Sequence, residues 1–299
     1  MEYFIELFVG GLTRGSIYAL IALGYTMVYG IIGLINFAHG EVYMIGAFTA
    51  LICSTVLAAW GLPAVSVLIL AAVVAVFYAA AYGFTMEKLA YKPLRSAPRL
   101  SPLISAIGMS IFLQNYVMLA QTSEFLPFPN LLPDWAFLEA LPFMGPTEAV
   151  IVAVTAIAMI ALTFLIKFSP MGTAMRATAQ DRVMAMLVGV NVNRTIANTF
   201  LLGSALAAVG GILIASHVGR INFYIGFLAG IKAFTAAVLG GIGSIPGAVL
   251  GGLVLGWTES FAAGYISSDY EDVFAFALLI LILIVRPSGL LGRSSAPKV

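Results

Sequence analysis

The sequence predicts an all-α membrane protein, a polytopic helical bundle of about eight or nine transmembrane helices with an inverted internal repeat. Three observations predict this fold class. First, 62% of the 299 residues are hydrophobic and only 9% are charged, which leaves too few polar residues to cover a water-soluble surface. Second, the apolar runs are continuous rather than alternating, as helices in lipid require. Third, a segment of the second half repeats a segment of the first.

Nine apolar runs are candidates for transmembrane helices, because about 20 apolar residues cross a bilayer core. The seventh and eighth runs are short and rich in glycine, which leaves partial crossings open. The runs cover residues 10–33, 41–60, 63–87, 101–121, 147–167, 196–218, 225–242, 247–264 and 272–286.

The distribution of positive charge predicts the orientation in the membrane, since short cytoplasmic loops are enriched in Lys and Arg. The intervening loops carry mainly acids, as in 122–146 and 259–272. This pattern places the N-terminus outside and the C-terminus in the cytoplasm of a bacterial inner membrane. The basic connections contain Lys88, Lys92, Arg95 and Arg99, then Lys167, Arg176, Arg182 and Arg194, and finally Arg286, Arg293 and Lys298.

An internal repeat appears when the chain is shifted by 186 residues, which lays residues 18–50 over 204–236 with 14 identities in 33 positions. The first copy begins on an inward span and the second on an outward span, so the repeat is predicted to be inverted. In transporters with inverted repeats, the substrate route lies where the two copies meet. This favours transport, although a duplicated scaffold retained for packing alone remains open.

The two copies share a Gly-x-Ile-Asn-Phe junction, centred on Asn36 and Asn222. A buried amide at membrane depth needs hydrogen-bond partners, and a break in a transmembrane helix is tolerated only beside protein or a water-filled cavity. We therefore expect two broken-helix junctions along a substrate path, while ordinary helix ends at the membrane interface remain the alternative. The candidate path residues are Tyr25, Thr26, Asn36, Phe37, His39, Glu41, Asn222 and Phe223.

Within the repeated segments 18–50 and 204–236, two charged residues lie inside predicted spans, Glu41 in the first copy and Lys232 in the second. A charge within a membrane usually faces the bundle interior or an opposite charge. The sequence therefore suggests a Glu41–Lys232 ion pair between the repeats.

Two loops are too long to be simple turns. The outer loop, 122–146, is rich in proline and is expected to form an ordered, non-helical cap. The inner loop, 168–195, contains a predicted helical stretch, Thr173–Val188, followed by Gly189. Such a helix suits docking onto another protein or lying on the membrane surface, and the sequence leaves both open.

Motifs for catalysis, metal binding and ATP binding are absent from the sequence. It has no phosphate-binding Gly-x-x-x-x-Gly-Lys-Ser/Thr loop, no His-Glu-x-x-His and no Gly-x-Ser-x-Gly. A net charge of +1 gives no basic footprint for nucleic acid. We therefore expect neither an enzyme nor a nucleic-acid-binding protein, and no bound cofactor.

Three segments resemble the LivH-type permeases of bacterial branched-chain amino-acid ABC transporters. They are Gly15–Glu41, the stretch from Met175 through Asp181 to Asn191, and Thr235–Ala248. The second pattern is shared more widely among ABC importers. The resemblance covers essentially the whole chain and implies one permease domain, 1–299, with repeat one at about 10–121, a linking helix at 147–167, the cytoplasmic loop at 168–195 and repeat two at 196–286.

The resemblance also implies partners: a related LivM-type permease, two cytoplasmic ATPase subunits that use the ATP, and a periplasmic substrate-binding protein. The inner loop would couple to an ATPase through Arg176, Asp181, Arg182, Ala185 and Gly189, with Ala185 and Gly189 permitting close approach. Branched-chain or other hydrophobic amino acids are the expected substrates. A permease for urea, short amides or aromatic acids, and a stand-alone secondary transporter, are the alternatives.

Overall fold

The computed structural model describes residues 1–98, 100–129 and 143–292 and is almost entirely helical. Two short strands, β1 (Leu126–Pro127) and β2 (Arg220–Ile221), pair antiparallel. A π-helical turn (Glu87–Tyr91) and a 3-10 turn (Lys92–Leu94) extend α3, and a second 3-10 turn (Ser268–Tyr270) precedes α11. The α-helices are α1 (Glu2–Ile32), α2 (His39–Ala59), α3 (Ala64–Met86), α4 (Leu100–Ala120), α5 (Pro146–Phe168), α6 (Pro170–Gln180), α7 (Arg182–Leu187), α8 (Val192–Val218), α9 (Ile225–Gly240), α10 (Ile245–Tyr265) and α11 (Glu271–Val285).

Within the described residues, seven helices are long and apolar enough to cross a membrane: α1, α2, α3 with its extension to Leu94, α4, α5, α8 and α10. The prediction of an all-α polytopic membrane protein is therefore confirmed. The run expected at 247–264 forms the full-length α10, whereas α9 has 16 residues and α11 has 15. Most of the predicted outer cap, residues 130–142, lies outside the described residues.

The helices form a bundle with α1 at its centre. In α1, 83% of the most apolar 18-residue stretch is buried within the chain, against 17% in α5, so α5 lies on the outside of the bundle. The α1–α10 contact depends on small residues, because a methyl group added to Gly15 would lie 2.8 Å from the Leu253 Cα atom. Such close backbone packing replaces the hydrophobic effect, which does not drive helix association within lipid.

The helix ends follow the repeat. α1 and α8 end at Ile32 and Val218, 186 residues apart, and each is followed by a glycine in the left-handed conformation, Gly33 with φ 68° and Gly219 with φ 73°. Glycine adopts this conformation without the steric cost that a Cβ atom brings, so it ends a helix cleanly. The helices after the two junctions, α2 and α9, also begin at equivalent positions.

The contacts between helices also follow the repeat. α1 packs on α10 as α8 packs on α3, and α1 packs on α9 as α8 packs on α2. The first helix of each copy therefore packs against the second and third helices of the other copy. Whether the copies have opposite orientation in a membrane stays a prediction, because it depends on which side each loop faces.

The β-ribbon ties the outer loop to the second junction. Leu126 pairs with Ile221, and the Phe128 N–H donates to the Gly219 carbonyl at 2.9 Å. The guanidinium of Arg220 lies 5.1 Å from the centre of the Phe125 ring. The loop after α4 is therefore anchored on the end of α8.

Candidate substrate path and coupling surface

The two helices that follow the junctions, α2 and α9, cross at equivalent glycines. A methyl group on Gly226 would lie 2.7 Å from the Gly40 carbonyl oxygen, and one on Gly230 would lie 3.1 Å from the Gly40 Cα atom. The first distance is too short for a real side chain, and the second is tighter than most real contacts of a Cβ atom. The two repeat copies thus meet backbone to backbone at the first turns of α2 and α9.

Asn36 lies in the interior, as the predicted junction requires. Its side chain is 3% exposed, and its Oδ1 atom accepts a 2.6 Å hydrogen bond from the hydroxyl of Tyr91, which is itself fully buried against Phe200. Its Nδ2 atom has no hydrogen-bond partner among the described residues. The first junction therefore carries an amide that is buried within the chain, and its depth in the membrane stays a prediction.

Asn222 has the same backbone role but a different side-chain role. The Asn36 and Asn222 carbonyls accept hydrogen bonds from the N–H groups of His39 and Ile225, at 3.0 and 3.3 Å. The side chain of Asn222 is only partly buried, and its Oδ1 accepts from the Tyr224 N–H at 3.2 Å, which makes a local turn. The junctions match in backbone geometry, and only the first carries a deeply buried amide.

Aromatic rings fill the space between the first junction and α9. The rings of Tyr25 and His39 meet edge to face with centres 4.7 Å apart, and Phe37 and Tyr25 both pack on Phe234, at 5.7 and 6.1 Å. The structure thereby brings three of the predicted path residues together. Phe223 packs on Tyr224 instead, with ring centres 6.3 Å apart.

Two cavities adjoin this aromatic group. One is a narrow crevice of about 10 Å³, lined by Tyr25, Tyr29, Ile35, Phe234, Ala237 and Ile242. The other, of about 110 Å³, lies between Thr26 on α1 and Met175 and Arg176 on α6. The inner loop therefore shares a cavity with a predicted path residue.

The expected Glu41–Lys232 ion pair is wrong. Glu41 is completely buried, and its Oε1 atom accepts a 2.9 Å hydrogen bond from the Ser110 hydroxyl on α4. Its Oε2 atom faces the backbone of Gly226 and has no partner among the described residues. Lys232 is already held by other carboxylates, because its side chain leaves α9 toward α10 and α11.

Lys232 is the centre of an ionic cluster that the sequence analysis missed. Its Nζ atom lies 3.1 Å from Glu259, 3.6 Å from Glu271 and 2.7 Å from Asp272. Glu259 is fully buried and also accepts from the Tyr18 hydroxyl at 2.7 Å, and Arg14 pairs with Glu271 at 3.0 Å. The cluster, defined here as Arg14, Tyr18, Lys232, Glu259, Glu271 and Asp272, joins α1, α9, α10 and α11.

The inner loop forms two helices instead of the single stretch predicted at Thr173–Val188. The chain extends at Asp181, with φ −156° and ψ 115°, and the Asp181 carboxylate caps α7 by accepting from the Val183 and Met184 N–H groups at 2.8 and 3.0 Å. Ser169 caps α6 by accepting from the Gly172 N–H at 2.9 Å. Asp181 thus caps α7 while it remains exposed on the surface.

Two arginines of the inner loop bind backbone carbonyls of the membrane helices. Arg182 donates to the carbonyls of Ile31 and Ile32 at the end of α1, and Arg176 donates to the carbonyl of Ile166 on α5. Carbonyls at a helix end lack partners within the helix, and they attract positive charge. The loop is therefore fastened to the membrane helices, beside the first junction.

α7 presents an apolar patch. Ala185 is 3% exposed and points into this chain, so it does not lie on the outer surface as expected. Gly189 ends α7 with φ 89° in an exposed turn, where Val190 N–H donates to Ala185 carbonyl at 2.9 Å. The α7 patch consists of five side chains exposed by 55 to 78%: Val183, Met184, Met186, Leu187 and Val188.

Comparisons with known proteins return matches in sequence and in structure. A family model described as "Branched-chain amino acid transport system / permease component" matches residues 7–283. The chain is 53% identical to the high-affinity branched-chain amino acid transport system permease protein LivH of Escherichia coli K12, over 99% of this chain and 98% of that one. It is 54% identical, at the same coverage, to the permease protein BraD of Pseudomonas aeruginosa PAO1. Among solved structures, PsaBC from Streptococcus pneumoniae in complex with Fab matches 93% of this chain and 91% of that chain, with a TM-score of 0.49 and 16% identity.

Proposed function

Because this chain belongs to the family of permease components of branched-chain amino acid transport systems, we propose that it translocates branched-chain amino acids as the membrane subunit of an ATP-driven importer. The relatives are named as permeases rather than enzymes. The observation that carries the proposal is the match over nearly the full length of both chains. The expected location is a bacterial inner membrane, with the N-terminus outside and the C-terminus in the cytoplasm.

The substrate path runs past the crossing of α2 and α9. Each of these two helices begins at a junction and meets its counterpart through glycine backbone, which permits a small rotation to open or close the contact. Tyr25, Thr26, Phe37, His39 and Glu41 surround this crossing or adjoin its cavities. Asn36 and Asn222 set the helix breaks, with Phe223 next to the second one.

The α7 patch is the docking surface for a cytoplasmic ATPase subunit. Five exposed apolar side chains on a helix of six residues and the residue after it are unfavourable in water, and a protein partner would cover them. Arg176 and Arg182 would transmit movement of the ATPase to α5 and α1, because they hold backbone carbonyls of those helices. ATP would be bound by the partner, and this chain needs no cofactor of its own.

The remaining partners follow from the family. A second, LivM-type permease would complete the membrane unit, two ATPases would bind from the cytoplasm, and a periplasmic protein would deliver the substrate. Co-purification from the native membrane, with the recovered subunits identified by mass spectrometry, tests this composition. Isolation of this chain without an ATPase, in a detergent that preserves other membrane complexes, would contradict it.

Uptake measurements test the substrate. Cells that lack this chain but express the other subunits should take up labelled leucine poorly, and the cloned chain should restore uptake. Unlabelled isoleucine and valine should compete, whereas urea, acetamide and benzoate should not. If benzoate or urea suppressed the restored leucine uptake, and isoleucine and valine did not, the result would instead favour a permease for benzoate or urea.

A further inference from the structure

An open groove of about 400 Å³ lies between the extension of α3 and the start of α8. Three cations line it, Lys88 and Lys92 from the extension and Arg194 from the first turn of α8. Nearer the middle of both helices α3 and α8 pack closely, since a methyl group on Gly83 would lie 3.0 Å from the Phe200 carbonyl oxygen. Two helices that are separate in sequence thus bring three positive charges to one space.

The three cations of the groove lack an acidic partner. No ion pair among the described residues includes Lys88, Lys92 or Arg194. The acid that lines the groove, Glu87, is 3% exposed and is already paired with Arg95. A solvated lysine needs no partner, but three cations around one groove repel one another, and an anion between them would offset that repulsion. The groove therefore suits a negatively charged ligand from outside the chain.

The two walls of the groove are tied together by Arg95. Its guanidinium donates to the Glu87 carboxylate on the extension of α3 and, at 2.6 Å, to the Asn193 Oδ1 atom on α8. The N-terminus of α8 also lies at the groove, where the Asn191 Oδ1 atom caps it by accepting from the Arg194 N–H at 3.0 Å. The positive end of the helix dipole adds to the attraction for an anion. The walls are therefore held in place before any ligand binds.

The groove lies where two candidate membrane helices would leave the hydrocarbon. α3 with its extension has 31 residues and would measure about 46 Å, against about 30 Å for the core of a bilayer. α8 has 27 residues and would measure about 40 Å. Their charged ends would therefore reach the level of the lipid headgroups. Phe84, which is 41% exposed and four residues before Lys88 on the same face of α3, lines the groove on the side nearer the membrane centre.

We propose that this groove binds the phosphate headgroup of an anionic phospholipid, with Lys88, Lys92 and Arg194 around the phosphate and an acyl chain along Phe84. Basic pockets between membrane helices are typical sites for such lipids. Free phosphate, or an acidic segment of a partner protein, carries the same charge but has no acyl chain to cover Phe84. The lipid would hold the ends of α3 and α8 together, whichever solute the chain transports.

The test titrates phospholipid into the full-length chain, purified in detergent and stripped of lipid, and follows its apparent Tm. Dioleoylphosphatidylglycerol is the anionic probe, and dioleoylphosphatidylethanolamine is the matched lipid with the same acyl chains and no net charge. Inorganic phosphate is the soluble probe. We expect phosphatidylglycerol to raise the apparent Tm to a plateau, with no comparable rise from phosphatidylethanolamine or inorganic phosphate.

A double variant, Lys92→Gln with Arg194→Gln, removes one cation from each wall of the groove. We expect the phosphatidylglycerol concentration at half the maximal Tm rise to increase at least fivefold. The matched control, Lys167→Gln with Arg286→Gln, removes two exposed cations that do not line the groove, and it should stay within twofold of wild type.

An equal Tm rise with phosphatidylethanolamine, or a wild-type midpoint in the groove variant, would overturn the inference. An equal rise with inorganic phosphate would also overturn it, because no lipid would then be needed. A groove variant that binds phosphatidylglycerol like wild type but loses the ATPase subunits in co-purification would assign the groove to a protein partner instead. If the double variant is not recovered folded, Lys92→Gln alone decides, and a wild-type midpoint in that variant would overturn the inference.

Discussion

Gly40 and Gly226 occupy equivalent positions in the two copies of the repeat, 186 residues apart, and their backbones touch where α2 crosses α9. A repeat brings a residue against its own counterpart only near an axis that relates the two copies. The contact therefore places that axis at the first turns of α2 and α9, next to the buried carboxylate of Glu41. This is where a small relative rotation of the copies changes the contacts most.

A methyl group at this crossing should be poorly tolerated. Gly40→Ala would push against the backbone of α9, and we expect a cost of about 1–3 kcal/mol, as for other overpacked interiors. The apparent Tm in detergent measures it. Gly108→Ala on α4 is the control, because a methyl group there meets nothing within 4 Å and should leave the Tm unchanged or slightly higher. Equal Tm values for the two variants would contradict the close crossing.

Tyr91→Phe tests the buried amide at the first junction. Removal of the hydroxyl leaves the Oδ1 atom of Asn36 without its donor, and an unsatisfied buried acceptor costs about 1–3 kcal/mol. We expect a lower apparent Tm and reduced leucine uptake. Tyr265→Phe, at a side chain that is 60% exposed, should change neither by a measurable amount. If Tyr91→Phe behaved like that control, Asn36 would have another donor.

The ionic cluster around Lys232 should depend strongly on its single central cation. Lys232→Met leaves the buried Glu259 without a counter-charge, and breaking one side of a buried pair costs about 3–5 kcal/mol. We expect poor recovery of folded protein in size-exclusion chromatography. Glu259→Gln in the same chain should restore part of the yield, because it removes the uncompensated charge. Lys88→Met, at an exposed cation, is the control and should leave the yield unchanged.

Rescue is the decisive part of the Lys232 experiment. A double variant with Glu259→Gln that is recovered as poorly as Lys232→Met alone would show that Glu259 is not the partner that Lys232 neutralises. Glu41→Gln in the Lys232→Met background should give no rescue, because Glu41 bonds to Ser110 rather than to Lys232.

A charge on the α7 patch should separate the chain from its ATPase. Leu187 is 75% exposed, so Leu187→Glu should leave folding of the chain intact, with an unchanged apparent Tm. We expect loss of the ATPase subunits in co-purification, since a desolvated carboxylate at an apolar interface is costly. Leu187→Met preserves the apolar surface and should retain them. Full recovery of the ATPases with Leu187→Glu would exclude this patch as the docking surface.

The repeat and its junctions could be predicted from the sequence because identical residues at a constant shift require no knowledge of packing. That shift also anticipated the equivalent helix ends at Ile32 and Val218. The break at Asp181 was visible in principle, since Asp is among the preferred residues that cap a helix N-terminus. The helical periodicity of Thr173–Val188 continues through Asp181, and periodicity alone therefore predicts one helix where the structure has two.

The side-chain partners of the charges could not be predicted from the sequence. Lys232 can reach three carboxylates on two later helices, and the choice between them and Glu41 depends on the direction in which α9 faces. The burial of Ala185 has the same origin, because a short helix buries whichever side its neighbours cover. Such directions follow from tertiary packing, which periodicity alone does not determine.

The most direct test of the function is leucine uptake into proteoliposomes that contain this chain, its partner permease, both ATPases and the binding protein. We predict uptake that requires ATP and the loaded binding protein, and that persists after ionophores collapse every ion gradient. Uptake by this chain alone, driven by a proton or sodium gradient and indifferent to ATP, would contradict the account and identify a secondary transporter.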